Sequence, residues 1–500
     1  DAALARMSEE ARAEATRELL LHVLHRLIGG RPLVIVLEDA HWLDSLSWGL
    51  AVRLRRQEPT LLLTLTLRSG HAPEGDAARA LLAQAALRLA LAAFARTDTA
   101  ALVAERLGAR ELDAATLELI HARSEGHPLF SEELAFALRD AGLLTVVEGV
   151  ARLAEGAETV VRSLPATVEG VIGARVDRLG AGEQLTLKVA SVLGRRFGAQ
   201  ALADIHPLRP AASAVERQLA AFIALDLVQV AAAPAGEYTF KHILTQEVTY
   251  GLLAYAQRRQ LHRAAAGWYE CAHAADTAPV VVLLAHHWTQ AGDPPKAFGY
   301  LRRAGAQSFA RFANREAADF LRQALALAHE PAPAERADCE RLLGYAKLWL
   351  GEPVESRAHL ERHLALSGRP VPATRAGLVA GIAWQFVASV FNHLRVRRRC
   401  AGGADARDSE IAESLLRYAH IAYFMTDTPR LLYASLRCLN FAARAELSRE
   451  VAVIYAAMVS GAAALPLHGL ARYYGTKARA AAGALDDPAV TAQVLLFDSL

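Results

Sequence analysis

The 500-residue sequence has few cysteines, almost no net charge and no long uninterrupted apolar run. Its four cysteines are scattered without a CxxC pair, which excludes a disulfide scaffold and predicts a reducing, cytoplasmic location in which they are small buried residues. The balance of 55 basic and 53 acidic residues, a net charge of +2, gives no electrostatic reason for nucleic acid or a membrane to be the main partner. The longest apolar run, residues 451–467, is interrupted by Ser, Gly and Pro and is short for a bilayer span.

What the sequence has in abundance is hydrophobic side chains, which make up 53% of the residues and indicate a globular protein. A chain of this length holds roughly three or four domains. The order of predicted elements gives an α/β domain over residues 1–145, a helix-and-hairpin domain over 162–270, and an all-helical region over 280–500. The fold is therefore predicted to be predominantly helical.

The α/β domain is predicted from "RPLVIVLEDAHWLD" and the segment that follows it. Leu33–Leu37 is an apolar, partly β-branched run, typical of a strand buried on both faces of a parallel sheet. A second strand, "TLLLTLTL" at residues 60–67, ends at Arg68. A strand–helix–strand unit of this length is parallel, so Glu38, Asp39 and Arg68 are expected at the same carboxyl edge of the sheet.

Two acids at the tip of an apolar strand form the pattern of a Walker B element. A Mg²⁺ ion that bridges phosphates needs an oxygen ligand on a rigid support, and a second carboxylate can orient the attacking water. The pattern alone is weakly specific, because a strand can also end in ordinary surface acids. The "HWLD" that follows shortly after Asp39 makes the pattern more specific. Within it, Trp42 is expected to pack in the core rather than to stack on an adenine.

The rest of the α/β domain is predicted to be short helices. They are interrupted by "EGHPLFSEEL", in which Ser131 is expected to cap a helix that has Glu132 and Glu133 in its first turn. The segment "TVVEGVARLAEGAET", residues 145–159, is interpreted as a linker.

Farther along the chain there is one hairpin signal and then a repeated helical pattern. Residues 226–240 alternate in polarity around a Pro-Ala-Gly turn, and helices followed by such a hairpin suggest a winged helix. Beyond it, "AFGYLRRAGA", "AADFLRQALA" and "SRAHLERHLA" share a leucine at the fifth place, namely Leu301, Leu321 and Leu360. The second interval is close to the tetratricopeptide period of about 34 residues with a small insertion, and the shorter first interval fits two neighbouring helices. A helical-hairpin solenoid is expected.

Six motifs follow one another along the chain: "PLVIVLEDAHWLD", "TLTLRS", "EGHPLFSEEL", "SLPATVEGVIGARVDRL", "LKVASVLGRRF" and "YTFKHILTQEVTYGLL". In order and spacing they resemble the STAND-class (AAA/NACHT-like) predicted ATPases of bacterial signal transduction, of the kind fused to adenylate/guanylate cyclase, kinase or LuxR-type domains. The resemblance implies an α/β remnant of a P-loop ATPase domain, followed by a winged helix and an all-α tetratricopeptide-like solenoid.

The resemblance also assigns roles to five residues. Glu38 takes the metal-ligand place of the Walker B element and Asp39 the catalytic place. Arg68 takes the place of a sensor of the γ-phosphate, Pro128 that of the Gly-x-Pro turn on the adenine side, and His242 that of a winged-helix histidine that senses the nucleotide. The implied cofactors are ATP or ADP with Mg²⁺. The structural alternatives are surface acids, a salt-bridging arginine, a helix-starting proline and an interdomain histidine.

The phosphate-binding half of such a site is missing. A P-loop ATPase needs GxxxxGK[ST], because backbone amides and one lysine hold the β- and γ-phosphates. The sequence contains no such motif, and its first lysine is Lys188. The family places the motif before Asp1, so an N-terminally truncated domain is expected rather than a decayed site, since the two acids and Arg68 are retained. Slow ATP turnover is expected of the intact protein, and at most very weak ATP binding of these 500 residues.

The function that follows is a regulatory ATPase switch, in which the helical repeats bind a protein partner or a small effector. Two alternatives stay open: a nucleotide-free helical scaffold for protein binding, and the regulatory part of a class III nucleotide cyclase.

Metal and nucleic-acid sites are not expected elsewhere. The histidine pairs His22/His25 and His286/His287 lack a third ligand at metal spacing. The basic run "HLRVRRRC", residues 393–400, is interpreted as a solvated loop, and the tip of the 226–240 hairpin carries no basic residue, so direct nucleic-acid binding is not expected.

Overall fold

The computed structural model describes residues 9–58, 60–68, 70, 75–154, 165–232, 234–327, 331–395, 406–442, 449–464, 468–485 and 488–498. The chain divides into two compact units, one formed by Asp1–Ala85 with Phe298–Leu500 and the other by Ala86–Ala297. Helices predominate and the sheets are small, which confirms the predominantly helical fold class.

The first part of the discontinuous unit is an α/β segment. Its elements are α1 (Glu9–Ile28), β1 (Leu33–Leu37), α2 (Ser45–Gln57), β2 (Leu61–Leu65) and α3 (Asp76–Ala83). Strands β1 and β2 pair in parallel, with Leu33 opposite Leu61 and Leu37 opposite Leu65. The predicted strand–helix–strand unit is confirmed, and the carboxyl ends of both strands lie at one edge.

The two faces of the β1–β2 pair differ in exposure. Leu33, Ile35 and Leu37 pack with residues of α1–α3. On the opposite face, Val34 and Leu62 are each 60% exposed. The expectation that β1 is buried on both faces is wrong for the part of the chain that the structure describes, because the helices cover only one face of the pair.

The other unit begins with three helices and a small mixed sheet. Its elements are α4 (Arg96–Leu107), β3 (Glu111–Leu112), α5 (Ala114–Ser124), α6 (Pro128–Asp140), β4 (Leu144–Val147) and β5 (Val150–Leu153). Strand β5 lies between β3, which is parallel to it, and β4, which is antiparallel.

The β4–β5 hairpin corrects the linker predicted at residues 145–159. Glu148 and Gly149 both have positive φ, 52° and 83°. Positive φ at both central residues is the geometry of the two-residue turn that closes a hairpin. The end of the predicted linker, residues 155–159, lies outside the described residues.

The same unit continues with a helical core and a three-stranded antiparallel sheet. Its elements are α7 (Val168–Asp177), α8 (Ala181–Leu193), β6 (Arg196–Gly198), α9 (Ala199–Ile205), α10 (Ala212–Ala224), β7 (Val228–Val230), β8 (Glu237–Phe240), α11 (Ile243–Gly251), α12 (Tyr255–Ala272) and α13 (Val281–Ala291). Strand β8 pairs with both β6 and β7, which confirms the hairpin predicted over 226–240. The sheet packs through Phe240 onto a core that includes Leu187, Leu219 and Phe222. The winged-helix assignment itself stays a prediction.

The remaining chain is all helical. It comprises α14 (Pro294–Ala310), α15 (Asn314–Ala326), α16 (Pro333–Trp349), α17 (Pro353–Leu366), α18 (Arg375–Arg395), α19 (Ala406–Phe424), α20 (Thr428–Ala442), α21 (Arg449–Ala464), α22 (His468–Leu485) and α23 (Pro488–Asp498). Residues 396–400 of the basic run lie outside the described residues.

Helices α14–α17 repeat one packing contact. A Cβ on Gly305 of α14 would lie 2.6 Å from Leu321 Cγ in α15, and a Cβ on Gly344 of α16 would lie 2.9 Å from Leu360 Cδ2 in α17. The glycine-to-glycine and leucine-to-leucine intervals are the same, 305 to 344 and 321 to 360. Both leucines are fully buried. The predicted repeat is confirmed as a helical hairpin in which glycine lets a leucine of the next helix approach the backbone.

Cysteine exposure agrees with the sequence expectation at two positions. Cys339 and Cys438 are buried, whereas Cys271 is exposed, and Cys400 lies outside the described residues. Among the described helices, none combines the length and the hydropathy that crossing a membrane requires.

Candidate functional site

The predicted Walker B acids lie in the turn that follows β1. Glu38 is exposed and Asp39 is half-buried. Asp39 has a left-handed backbone, with φ 49° and ψ 42°, a conformation that Asp tolerates better than most residues. Its amide donates to Thr66 Oγ1 at 2.9 Å, and the Ala40 amide donates to the Thr66 carbonyl at 2.8 Å. The turn that carries both acids is therefore held by the residue directly after β2.

Arg68 follows Thr66 by two residues and is exposed. Because β1 and β2 are parallel neighbours, Glu38, Asp39 and Arg68 all follow carboxyl strand ends at the same edge. Their assignment to Mg²⁺ and phosphate stays a prediction. Sequence reasoning missed Thr66, although a hydroxyl in "TLTLRS" at the end of a predicted strand was a usable signal.

Trp42 does not pack in the core. Its side chain is 76% exposed. It belongs to a short 3₁₀ turn, Ala40–Trp42, in which the buried residue is Ala40. The expectation of core packing is wrong because this turn directs the small residue inward and the large one outward.

The start of α2 contacts the helical repeats of the same unit. Asp44 caps α2 by accepting a hydrogen bond from the Ser47 amide at 2.6 Å. Ser45 donates through its amide and its hydroxyl to the Glu316 carboxylate of α15, at 2.7 and 2.8 Å. The residue directly after "HWLD" thus joins α2 to the first helical hairpin by two charge-assisted hydrogen bonds.

Pro128 is the first residue of α6, where its missing amide hydrogen costs nothing. The helix is capped by His127, whose Nδ1 accepts a hydrogen bond from the Phe130 amide at 3.3 Å. The expectation that Ser131 caps this helix is wrong, because Pro128 starts it one turn earlier. Ser131 is buried, and its hydroxyl donates to Ser124 Oγ at 2.7 Å.

The turn before α6 depends on glycine. Gly126 has φ +72°, and its carbonyl accepts a hydrogen bond from the Phe94 amide at 2.8 Å. A Cβ at Gly126 would lie only 2.3 Å from the Phe94 carbonyl oxygen. This position therefore requires glycine both for its backbone conformation and for the close approach of the Phe94 segment.

We expect Gly126→Ala to lower the free energy of unfolding by about 2 kcal/mol, the sum of left-handed strain and overpacking. Gly108→Ala is the matched control, since Gly108 has φ +66° but nothing within 4 Å of an added Cβ. Gly108→Ala should cost only the conformational part, about 1 kcal/mol. Urea denaturation of both variants measures the difference. If both variants lose the same free energy of unfolding, the Phe94 segment moves away from the added Cβ without an energetic cost.

Helix α6 carries two carboxylates that are almost fully buried. Glu132 is 4% exposed and Glu133 is 1% exposed. The expectation that they lie in the first turn is wrong, since α6 begins at Pro128 and neither acid lies in its first turn. A buried carboxylate is costly unless it is paired, so each must have a cationic partner.

The partner of Glu133 is Arg175 of α7. Arg175 Nη1 donates to Glu133 Oε2 at 2.5 Å, and both side chains are 2% exposed. The same guanidinium donates to Asp140 Oδ2 at 3.2 Å and to the Leu225 carbonyl at 2.5 Å. Burial raises the pKa of Glu133, and the charge and hydrogen bond of Arg175 oppose that rise. One arginine therefore connects α6, α7 and the end of α10.

Glu132 faces two cations, Lys241 and Arg106, and the imidazole of His242. Lys241 Nζ lies 3.2 Å and Arg106 Nε 3.3 Å from its Oε1. His242 Nε2 lies 3.9 Å from the same oxygen, beyond hydrogen-bond distance. Burial acts to raise the pKa of Glu132, but His242, Lys241 and Arg106 outweigh it and lower the pKa to about 2. Lys241 also bonds to Asp226.

An aromatic ring lies among the same charges. The Phe136 centroid is 4.7 Å from the Arg139 guanidinium carbon, 5.2 Å from that of Arg175 and 5.6 Å from Lys241 Nζ. Each distance is within cation–π range. We call Glu132, Glu133, Phe136, Arg175, Lys241 and His242 the α6 ionic cluster.

The α6 ionic cluster is where three of the sequence motifs meet. "EGHPLFSEEL" supplies its acids, "GARVDRL" supplies Arg175, and "FKHIL" supplies Lys241 and His242. Of the predicted site residues, His242 belongs to it and Pro128 begins its helix. Sequence reasoning missed the acids, Arg175 and Lys241, although charged residues inside otherwise apolar segments were a signal for buried pairs.

The sequence indicated no third ligand for the pair His286/His287, but the structure places a third histidine beside it. His262 of α12 lies beside His286 and His287 of α13, with one nitrogen of each within 4.8 Å of the others. The pair His22/His25 differs, because His25 Nδ1 is bonded to Glu58 at 2.7 Å.

Comparisons with known proteins give relatives without an established function. Residues 96–152, which run from α4 into β5, match a family model described as a Domain of unknown function (DUF8739). The chain is 29% identical over 363 residues to an uncharacterized protein of Rhizobium meliloti, and the alignment covers 67% of this chain but 32% of that protein. This chain therefore spans about a third of the length of that relative.

Among solved structures, the chain is similar to a Signal Transduction ATPase with Numerous Domains (STAND) protein with a tetratricopeptide repeat sensor from Pyrococcus horikoshii. The match covers 96% of this chain and 73% of the other, with 10% sequence identity and a TM-score of 0.38.

Proposed function

We propose that this chain is part of a signal-transduction ATPase that acts as a regulatory switch, whose full gene product binds ATP with Mg²⁺ and whose helical repeats bind a protein partner or a small effector. The observation that carries the proposal is the parallel pairing of β1 with β2, which leaves Glu38, Asp39 and Arg68 after neighbouring carboxyl strand ends. Ligands of parallel α/β sheets bind at this edge.

The residues at the edge fit a magnesium–phosphate ligand. Mg²⁺ prefers one or two carboxylates together with water and phosphate oxygens. Glu38, which is exposed, would hold the ion directly or through water. Asp39, whose amide is bonded to Thr66, would orient the attacking water, and Arg68 would neutralise charge on the terminal phosphate.

The phosphates need a second binding element, because these 500 residues contain no GxxxxGK[ST] motif. The proposal therefore concerns the full gene product, and at most very weak ATP binding is expected of the present chain.

Two contacts give this proposal a means of regulation. Within one unit, Ser45 binds Glu316, so the segment after the Walker B acids is joined to the first helical hairpin. Within the other unit, Glu132 of α6 faces Lys241 and His242 at the start of α11. Both are small charged contacts between separate elements, and such contacts can be exchanged when a ligand binds.

The test is ATP binding and turnover by the full gene product carrying Glu38→Gln or Asp39→Asn. Glu38→Gln is expected to weaken Mg²⁺-dependent ATP binding about tenfold, because it removes a metal-ligand charge. Asp39→Asn is expected to leave binding nearly unchanged and to lower turnover about tenfold or more, because it removes the group that orients water. Isothermal titration and phosphate release measure the two effects.

Glu105→Gln is the matched control, since Glu105 is an exposed acid on α4, in the other compact unit. It should change neither quantity. Unchanged binding and turnover in both Glu38→Gln and Asp39→Asn would reject the proposal.

A second candidate function is a nucleotide-free scaffold for protein binding. It is favoured by α18, on which Val379, Trp384 and Phe386 are 65%, 69% and 60% exposed, since exposed large apolar side chains in close succession mark interaction surfaces. A full gene product that ignores ATP would favour the scaffold, and the Glu38 and Asp39 variants would then have no effect.

A further inference from the structure

Three imidazoles meet between α12 and α13. The ring centroids of His262, His286 and His287 form a nearly equilateral triangle, with sides of 5.1 Å between His262 and His287 and 5.5 Å for the other two. His262 and His287 are each 1% exposed, and His286 keeps part of its surface in solvent.

The size of this triangle matches that of three imidazoles on one tetrahedral metal ion. A Zn–N bond of about 2.0–2.1 Å puts each ring centroid about 3.2 Å from the ion, and tetrahedral angles then separate the centroids by about 5.2 Å. The observed separations of 5.1 to 5.5 Å bracket this value.

The protonation states suit a metal. Burial, together with the nearby imidazoles, lowers the pKa of His262 to about 4 and that of His287 to about 3. Burial of part of its ring also lowers the pKa of His286. Burial favours the neutral imidazole, the form in which histidine binds metals.

The hydrogen bonds around the three rings leave capacity for a ligand. His287 Nε2 is buried and has no hydrogen-bond partner among the described residues. Its Nδ1 lies 2.8 Å from His262 Nδ1. His262 Nε2 lies 3.0 Å from the Tyr250 hydroxyl, which can accept a hydrogen bond from that nitrogen. The lone pair of His262 is then on Nδ1, where a metal ion would replace its hydrogen bond with His287 Nδ1. The Tyr269 ring stacks on His287 with the ring centroids 5.7 Å apart.

We propose that His262, His286 and His287 bind one divalent transition-metal ion, with zinc as the preferred ion and water in the fourth position beside the exposed His286. An all-imidazole donor set favours zinc and its neighbours in the transition series over Mg²⁺ and Ca²⁺, which prefer oxygen. The ion would join α12 to α13 within one unit. The proposal does not depend on the ATPase function.

The test uses the tag-free chain after dialysis against a chelator. Titration with Co²⁺ is expected to produce the visible absorption of tetrahedral cobalt, saturating at about one ion per chain, and Zn²⁺ should displace it. Zn²⁺ should also raise the thermal unfolding midpoint, because it binds only the folded site.

His286→Ala removes the exposed ligand and should fold normally. It is expected to weaken Co²⁺ binding at least tenfold and to abolish the thermal shift with Zn²⁺. His22→Ala, which removes an exposed histidine of α1, is the matched control and should change neither. Absence of tetrahedral cobalt absorption, or equal affinity of wild type and His286→Ala, would overturn the proposal and leave His262 and His287 as a buried hydrogen-bonded pair.

Discussion

Replacing Arg175 with methionine is expected to lower the free energy of unfolding by about 3–5 kcal/mol. Methionine fills similar volume but leaves Glu133 buried at 1% exposure without its cation. The Leu225 carbonyl also loses its donor. Breaking a buried pair from one side costs this much because a charge is left in a low-dielectric site. Urea denaturation gives the global value, and hydrogen exchange of the α6 amides reports the loss locally.

The pH dependence of Arg175→Met has a definite sign. Burial already raises the pKa of Glu133, and without Arg175 nothing equally close opposes that rise. A carboxyl whose folded pKa lies above its unfolded value binds a proton more readily in the folded state. The variant should therefore be least destabilised below the unfolded pKa, near 4.5, and should lose stability as the pH rises through the folded pKa.

Two further variants separate burial from charge. Glu133→Leu combined with Arg175→Met removes both charges and should recover most of the loss, because a buried pair can be exchanged for apolar groups at little cost. Arg196→Met breaks the Arg196–Glu237 pair, whose side chains are 51% and 32% exposed, and should cost less than about 1 kcal/mol. If Arg175→Met costs no more than Arg196→Met, the buried pair does not hold α6 to α7.

The features that could be predicted from the sequence are those with local signals. The apolar run Leu33–Leu37 and the following helix and strand predict parallel pairing, and β1–β2 has it. Alternation over 226–240 predicts a hairpin, and β7–β8 forms it. Leu321 and Leu360 mark equivalent helices, because in both repeats the leucine packs against a glycine of the preceding helix.

The α6 ionic cluster could not be predicted because its partners are distant in sequence. Arg175 is 42 residues from Glu133, and Lys241 is 109 residues from Glu132. Two adjacent acids after Ser131 look like a helix start, where acids are favoured by the helix dipole. The helix in fact starts at Pro128, so both acids lie beyond its first turn and are buried.

The positions of the acids at the β1–β2 edge could be predicted, but the backbone conformation and the hydrogen bonds of their turn could not. Asp39 and Arg68 follow strand ends that the apolar pattern marks. The left-handed backbone of Asp39 and its hydrogen bond to Thr66 depend on how the two strands pair, which a linear pattern does not specify. The exposure of Trp42 follows from the same turn.

Replacing Glu132 with glutamine is expected to lower the free energy of unfolding by about 3 kcal/mol at pH 7, because its pKa is lowered from 4.5 to about 2. A carboxyl with a depressed folded pKa stabilises the folded state above its unfolded pKa. That contribution is lost as the pH falls from about 4.5 towards 2. The difference between wild type and Glu132→Gln should therefore fall to less than half of its pH 7 value at pH 3.

The comparison with wild type at each pH isolates Glu132 from the other carboxylates, since they titrate in both proteins. Glu105→Gln, at an exposed position, should give a small difference that does not vary with pH. A difference for Glu132→Gln that is equally flat from pH 7 to pH 3 would mean that the carboxylate charge contributes nothing, and that Lys241 is held by Asp226 alone.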